Sequence, residues 1–198
     1  QEFEQQHLAW KPGITGRRLA NWLGHREFLI TGADIDFINN FESSILRQTL
    51  FLQQVEKLLG PGFDRIETYK GLILSTLSIS NKRLLKKWCK YIDREIAQQI
   101  LIDGGHISRN PATLLMFLRH LIDIRSALKN SNEDISEIIQ HGIDKISPMI
   151  RFFRHGDGGL ALFNGSDENE GWLIDIILDR SEARGNPINS TPHIGFER

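Results

Sequence analysis

Two glycine-punctuated polar segments, DGGHISRNP (Asp103 to Pro111) and RHGDGGLALFNG (Arg154 to Gly165), carry most of the chemistry open to this chain. An imidazole exchanges a proton near neutral pH, which makes His106 and His155 candidate acid or base groups. Arginine forks bind carboxylates in a bidentate way, so Arg109 and Arg154 are candidate anion ligands, and Asn110, Asp157 and Asn164 are further polar groups that could bind other parts of a ligand. Glycine opens backbone conformations closed to other residues, so both loops can present side chains in fixed directions and are expected to open on one side. Asp103 stands where it could orient the His106 imidazole; in the alternative, the two merely brace the turn. Asn110 followed by Pro111 is first a helix cap and only then a ligand. Arg154, His155 and Asp157 either line a cleft or form an internal ion-pair network. Two His and two Asp could suggest a metal, but no short His-x-x-x-His spacing supports one, and neither metal nor cofactor is expected in this segment.

The elements that must position these loops are helices. From Asp34 to Leu59, apolar residues recur at three- and four-residue steps until Gly60-Pro61-Gly62 stops the pattern. Ile66 to Ile79 is apolar on nearly every side, which suits an inner helix; Tyr69 lies on it and could reach a cleft, although packing is the stronger reading. Asn81 to Ile102 turns Leu85, Trp88, Ile92, Ile96 and Gln99 to one face before the first glycine loop. Asn110-Pro111 opens a Leu-rich helix, and Ser131 or Asn132 is expected to cap the next, with Ile135, Ile139, Gly142, Ile146 and Met149 inward. A short extended piece from Leu160 to Phe163 precedes a helix from about Glu170 to Glu182. Trp22, Trp88 and Trp172 read as core. The expected class is therefore all-α, built of antiparallel helical hairpins, with no internal repeat strong enough to establish how they close.

The 198 residues suffice for one sizeable core, burying roughly 70% of the unfolded surface. Lys and Arg total 24 against 25 Asp and Glu, so no global field draws nucleic acid, and none is expected as a partner. Cys89 is the single cysteine, which excludes an intrachain disulfide. No apolar stretch approaches the roughly 20 residues needed to span a bilayer, and the opening QEFEQQHLAW is too polar for a secretory signal.

The DGGH run, with its following basic residue, polar residue and proline, then the Leu-rich helix and the later HGDG-x-x-ALFNG, resembles the helical domain of the heparinase II/III-like polysaccharide lyases. A looser similarity runs through WKPGITGRRLANWL (Trp10 to Leu23) and KGLILSTLSI (Lys70 to Ile79). The resemblance implies part or all of an (α/α) toroid over residues 1–185, and an extended segment, 186–198, leading toward a β domain beyond it. It also implies a bacterial lyase of the periplasm or cell envelope that cleaves a glycosaminoglycan-like acidic polysaccharide by β-elimination. His106, His155 and Tyr69 would be catalytic, with Arg109, Asn110, Arg154, Asp157 and Asn164 binding the polymer. The segment alone would be inactive, since the cleft needs the β domain. Two family positions depart from the pattern: the usual Tyr-His pair is replaced by Thr113 and Leu114, and the Asn-His pair by residues near Phe63 and Asp64. A catalytically inactive acidic-carbohydrate-binding module of the same fold is the alternative that this departure leaves.

Overall fold

The computed structural model describes residues 8–60, 62–185, 187–188, 190–191, 193 and 195–197. Among them are eight α-helices: α1 (Pro12–Gly24), α2 (Arg26–Ile30), α3 (Ile35–Val55), α4 (Phe63–Ser78), α5 (Lys82–Gln99), α6 (Pro111–Asn130), α7 (Glu137–Phe152) and α8 (Gly171–Ser181). Extended pairing among the described residues consists of a short antiparallel ladder between β1 (Ser190–Thr191) and β2 (Phe196–Glu197) and single antiparallel bridges joining Ile100 to His106 and Arg154 to Leu160. The fold is all-α, as the 3.6-residue periodicity requires. The chain divides into two compact units, residues 1–91 and 92–198.

In the first unit, α1 and α4 touch backbone to backbone. A Cβ on Gly71 would lie 2.7 Å from the Gly16 carbonyl oxygen, and one on Gly16 would overlap that of Glu67. Only hydrogen fits at either place, so the glycines set the helix separation. Along the same seam Arg17 reaches Glu67 at 2.6 Å. Burial pushes the Glu67 carboxyl up, against the opposing pull of Arg17. Asp34 caps α3 by accepting from the Phe37 amide at 2.7 Å. Leu19, Leu52, Ile66, Leu72, Ile73 and Trp88 form the core. Tyr69 belongs to it, 3% exposed, with its ring centroid 5.4 Å from that of Tyr91.

The second unit opens within α5 and holds α6, α7 and α8. Asn110 accepts from the Thr113 amide at 2.8 Å and Pro111 takes the first helical position, so the expected cap of α6 forms. The cap of α7 is Ser136, which accepts from Ile139 and donates to Asp93 at 2.5 Å. Ser131 and Asn132 are used in leaving α6, where Asn132 adopts φ 53° and bonds back to Lys129. Two arginines close the far end of α8. The Arg125 guanidinium, 7% exposed, donates to the carbonyls of Arg180 at 2.7 Å and Ser181 at 3.0 Å, and Arg151 donates to that of Ala183 at 2.7 Å. These carbonyls lack helical partners, and the buried cation supplies them. Trp172 departs from its core reading: it is 60% exposed, because its turn of α8 faces solvent.

An internal repeat invisible in the side-chain pattern is plain in the backbone. The succession of helix, Asp-Gly-Gly hairpin and helix occurs twice, once from α5 to α6 and again from α7 to α8. Asp103-Gly104-Gly105 and Asp157-Gly158-Gly159 occupy equivalent places.

Candidate functional site

Each hairpin is a self-contained hydrogen-bonded turn. In the first, Leu101 donates to the Gly105 carbonyl at 2.8 Å and Gly104 to that of Leu101 at 3.0 Å. In the second, His155 donates to Gly159 at 2.9 Å and Gly158 to His155 at 3.0 Å. The carboxylates of Asp103 and Asp157 accept from the amides of Gly105 and Gly159 at 3.0 and 2.9 Å. Gly104 and Gly158 sit at φ 86° and 88°, a region that side chains disfavour. The aspartates are thus turn braces of the Asx kind, which is why Asp-Gly-Gly recurs.

The segments that follow the hairpins are stapled to each other. Asn110 donates to the Asn164 carbonyl at 2.9 Å, and Asn164 donates to that of Arg109 at 3.0 Å. Ser166 Oγ accepts from the Ala112 amide at 3.1 Å. Asn110 and Asn164 therefore spend their side chains on the fold rather than on a ligand, and both Arg109 and Asn164 hold left-handed backbone, φ 53° and 50°.

His106 is buried, 7% exposed, with its ring 5.6 Å from that of Phe117. Its Nδ1 accepts from the Ser108 amide at 3.0 Å, and because an amide can only donate, Nδ1 carries no proton. The proton is on Nε2, which donates to Gln99 Oε1 at 3.0 Å; Gln99 in turn donates to Glu95 at 2.6 Å. Burial pushes the imidazole pKa down to about 4. The expectation that Asp103 orients this ring is corrected: Asp103 holds the Gly105 amide, and the partners of His106 are Ser108 and Gln99. Gln99 had a legible signal, since a polar residue on an apolar helix face needs a buried partner.

The second loop also departs from expectation. Arg154 pairs with Asp175 on α8 at 2.5 Å and donates to the Gly158 carbonyl at 3.1 Å, so the network does not include His155 or Asp157 as its partners. The bond to Asp175 holds the Arg154 guanidinium above its ordinary pKa and the carboxyl below its own. His155 and Arg109 extend into solvent. Tyr69 lies in the first unit, packed against Trp88 and Tyr91 rather than at a loop. A cleft of about 520 Å³ beside the second hairpin is lined by Asp157, Glu168 and Glu170 and by no basic residue, an electrostatic setting that repels a uronate. A second cleft, about 670 Å³, balances Arg151, Arg154 and Arg184 with Asp175, Asp179 and Glu182. Among the described residues no group of three or more His, Cys, Asp or Glu could hold a metal ion.

The molecule is thus an all-α protein whose two Asp-Gly-Gly turns join helices. No family model and no solved structure matches it. It is 31% identical over 104 residues to FtsZ-localized protein C of Caulobacter vibrioides (strain NA1000 / CB15N), a match that takes in 52% of this chain and 18% of that protein. The chain thus spans less than a fifth of the length of the curated relative it matches. This finding corrects the expectation of a polysaccharide lyase, and of a glycosaminoglycan-binding module beside it, since the relative is named for its association with FtsZ. The neutral, enclosed His106 and the acidic cleft agree with that correction.

Proposed function

We propose that this chain is a helical part of a cell-division-associated protein that joins FtsZ assemblies, working there by binding rather than by bond cleavage. The observation that carries the reading is the 31% identity over 104 residues to FtsZ-localized protein C. Support comes from the loops, whose polar groups are largely committed to bracing turns and stapling segments, leaving no assembled acid and base among the described residues.

The test is cellular. The complete protein, fused to a fluorescent protein in the bacterium that encodes it, is expected to form a band over FtsZ labelled in a second colour, and the band should disperse when FtsZ is depleted. A uniform distribution, or a band that survives depletion of FtsZ, would overturn the proposal.

A further inference from the structure

α3 shows a row of apolar side chains on the side that the core does not use. Ile35, Leu46 and Leu50 are 67%, 59% and 49% exposed. At 100° per residue they fall within about 60° of one another around the helix, together with Asn39 and Gln53. Phe41, Ile45 and Leu52 hold the other side and are buried. The adjoining α2 extends the apolar surface: Arg26 ties it to α3 through Glu42 at 2.6 Å, and its Phe28 is 83% exposed. Single apolar residues are ordinary on a protein surface. A row along about four turns of one helix, with a phenylalanine on the helix tied to it, marks a contact face instead.

The charges beside the row decide what fits it. Asp36 and Glu42 stand in the first half of α3, Arg47 in the second, and Lys57 in the 3-10 turn that follows. Glu56, the acid of that turn, is buried and bonds Lys87, so it does not offset them. Asp36 and Arg47 are exposed and form no ion pair among the described residues. They lie on the same edge of the row, about 20° apart around the helix. A helix with acid toward one end and base toward the other matches a copy of itself turned end for end and repels one laid parallel. A two-fold interface needs that property, because the patch must fit itself. The apolar positions then set the register. With the axis between Glu42 and Ser43, Ile35 comes opposite Leu50 of the second copy, Asn39 opposite its Leu46, and Asp36 beside its Arg47, each contact occurring twice.

We infer that the chain self-associates through α3, two copies packing antiparallel along the row of Ile35, Leu46 and Leu50, with paired Asp36 and Arg47 fixing the direction. Ser43 beside the axis is small enough to let the helices approach. The inference stands independently of the FtsZ reading, because its test contains no FtsZ.

The experiment is sedimentation equilibrium of the full chain over a range of concentrations. The expected result is a reversible dimer, populated at or below about 0.1 mM. Leu46→Arg should weaken it roughly a hundredfold or more. Asp36→Arg and Arg47→Asp should each weaken it about tenfold, and the double variant should recover most of that loss, since it restores both pairs between the copies with their signs exchanged. The two positions are about 16 Å apart along one helix, so no contact within a single copy can produce the recovery. Circular dichroism checks the fold of each variant; should Leu46→Arg unfold, Leu46→Gln replaces it, with a smaller loss in the same direction. A wild type that stays monomeric up to about 0.1 mM overturns the inference, and leaves the row to a different partner. So does a folded Leu46 variant that dimerises as the wild type does, or a double charge variant that associates no more tightly than the single ones.

Discussion

The fate of His106 turns on a single backbone amide. Ser108 N–H needs an acceptor, Nδ1 is that acceptor, and protonating the ring would set two donors against each other. The imidazole accordingly stays neutral down to about 4, against 6.5 for a free histidine. Between those values the unfolded chain binds a proton that the folded chain refuses. The stabilisation is complete above the unfolded pKa and is lost as pH falls toward the folded one, reaching on the order of 2–3 kcal/mol. Urea unfolding is expected to show a lower midpoint at about pH 5 than at about pH 7, and His106→Gln should shrink that difference. An equal pH dependence in both proteins would mean that His106 titrates freely. Near neutral pH the same ring is a poor proton shuttle, because it is both enclosed and committed.

At the scale of elements, the two hairpins show how one local motif acquires unequal importance. Both need glycine at the left-handed position, so Ala at either costs about 1–2 kcal/mol from the backbone alone. A Cβ on Gly158 would press only lightly on the movable Arg154 Nη2, at 3.3 Å, and would stand in ordinary contact with the Gly171 Cα at 3.7 Å. A Cβ on Gly104 would overlap the Lys145 carbonyl oxygen in α7, which cannot give way without shifting the helix. Gly104→Ala is therefore expected to destabilise by roughly 3–5 kcal/mol and Gly158→Ala by the smaller backbone figure. Urea denaturation of the two variants decides the matter; equal losses would show that turn one does not press on α7. The Asp-Gly-Gly triplets were legible in the sequence as turns. Their equivalence was not, because the helices around them share a backbone pattern rather than residues.

For the whole molecule, α5 is the element common to both compact units: it starts in the first and ends in the second as one uninterrupted helix. Helix propagation is cooperative, so the units are expected to unfold together. Trp10, Trp22 and Trp88 belong to the first unit, and a Trp172→Phe variant makes tryptophan emission report on that unit alone. Its unfolding curve should coincide with the far-ultraviolet dichroism curve, which sums all helices. Two separated transitions would show that the units are thermodynamically independent. The molecule's charge is likewise uneven: the near-zero total conceals a basic α5 and an acidic cleft, and a count over the chain sees neither.

Much of what acts over a few residues was legible in the sequence. Periodicity set the all-α class and the approximate places of the helices, Asn110-Pro111 set the start of α6, and glycine triplets set the two turns, since capping and backbone sterics are local; the cap of α7, however, is Ser136 and not Ser131 or Asn132. Tertiary structure decided everything that depends on a distant partner. It gave Arg154 to Asp175, tied Asn110 to Asn164, and pressed α1 onto α4 at Gly16 and Gly71. It also enclosed His106 between Gln99 and Ser108, turning the best candidate for proton transfer into a neutral structural group. A side chain's type states what chemistry it can do; its burial and its partners, set by residues far along the chain, decide whether that chemistry is available.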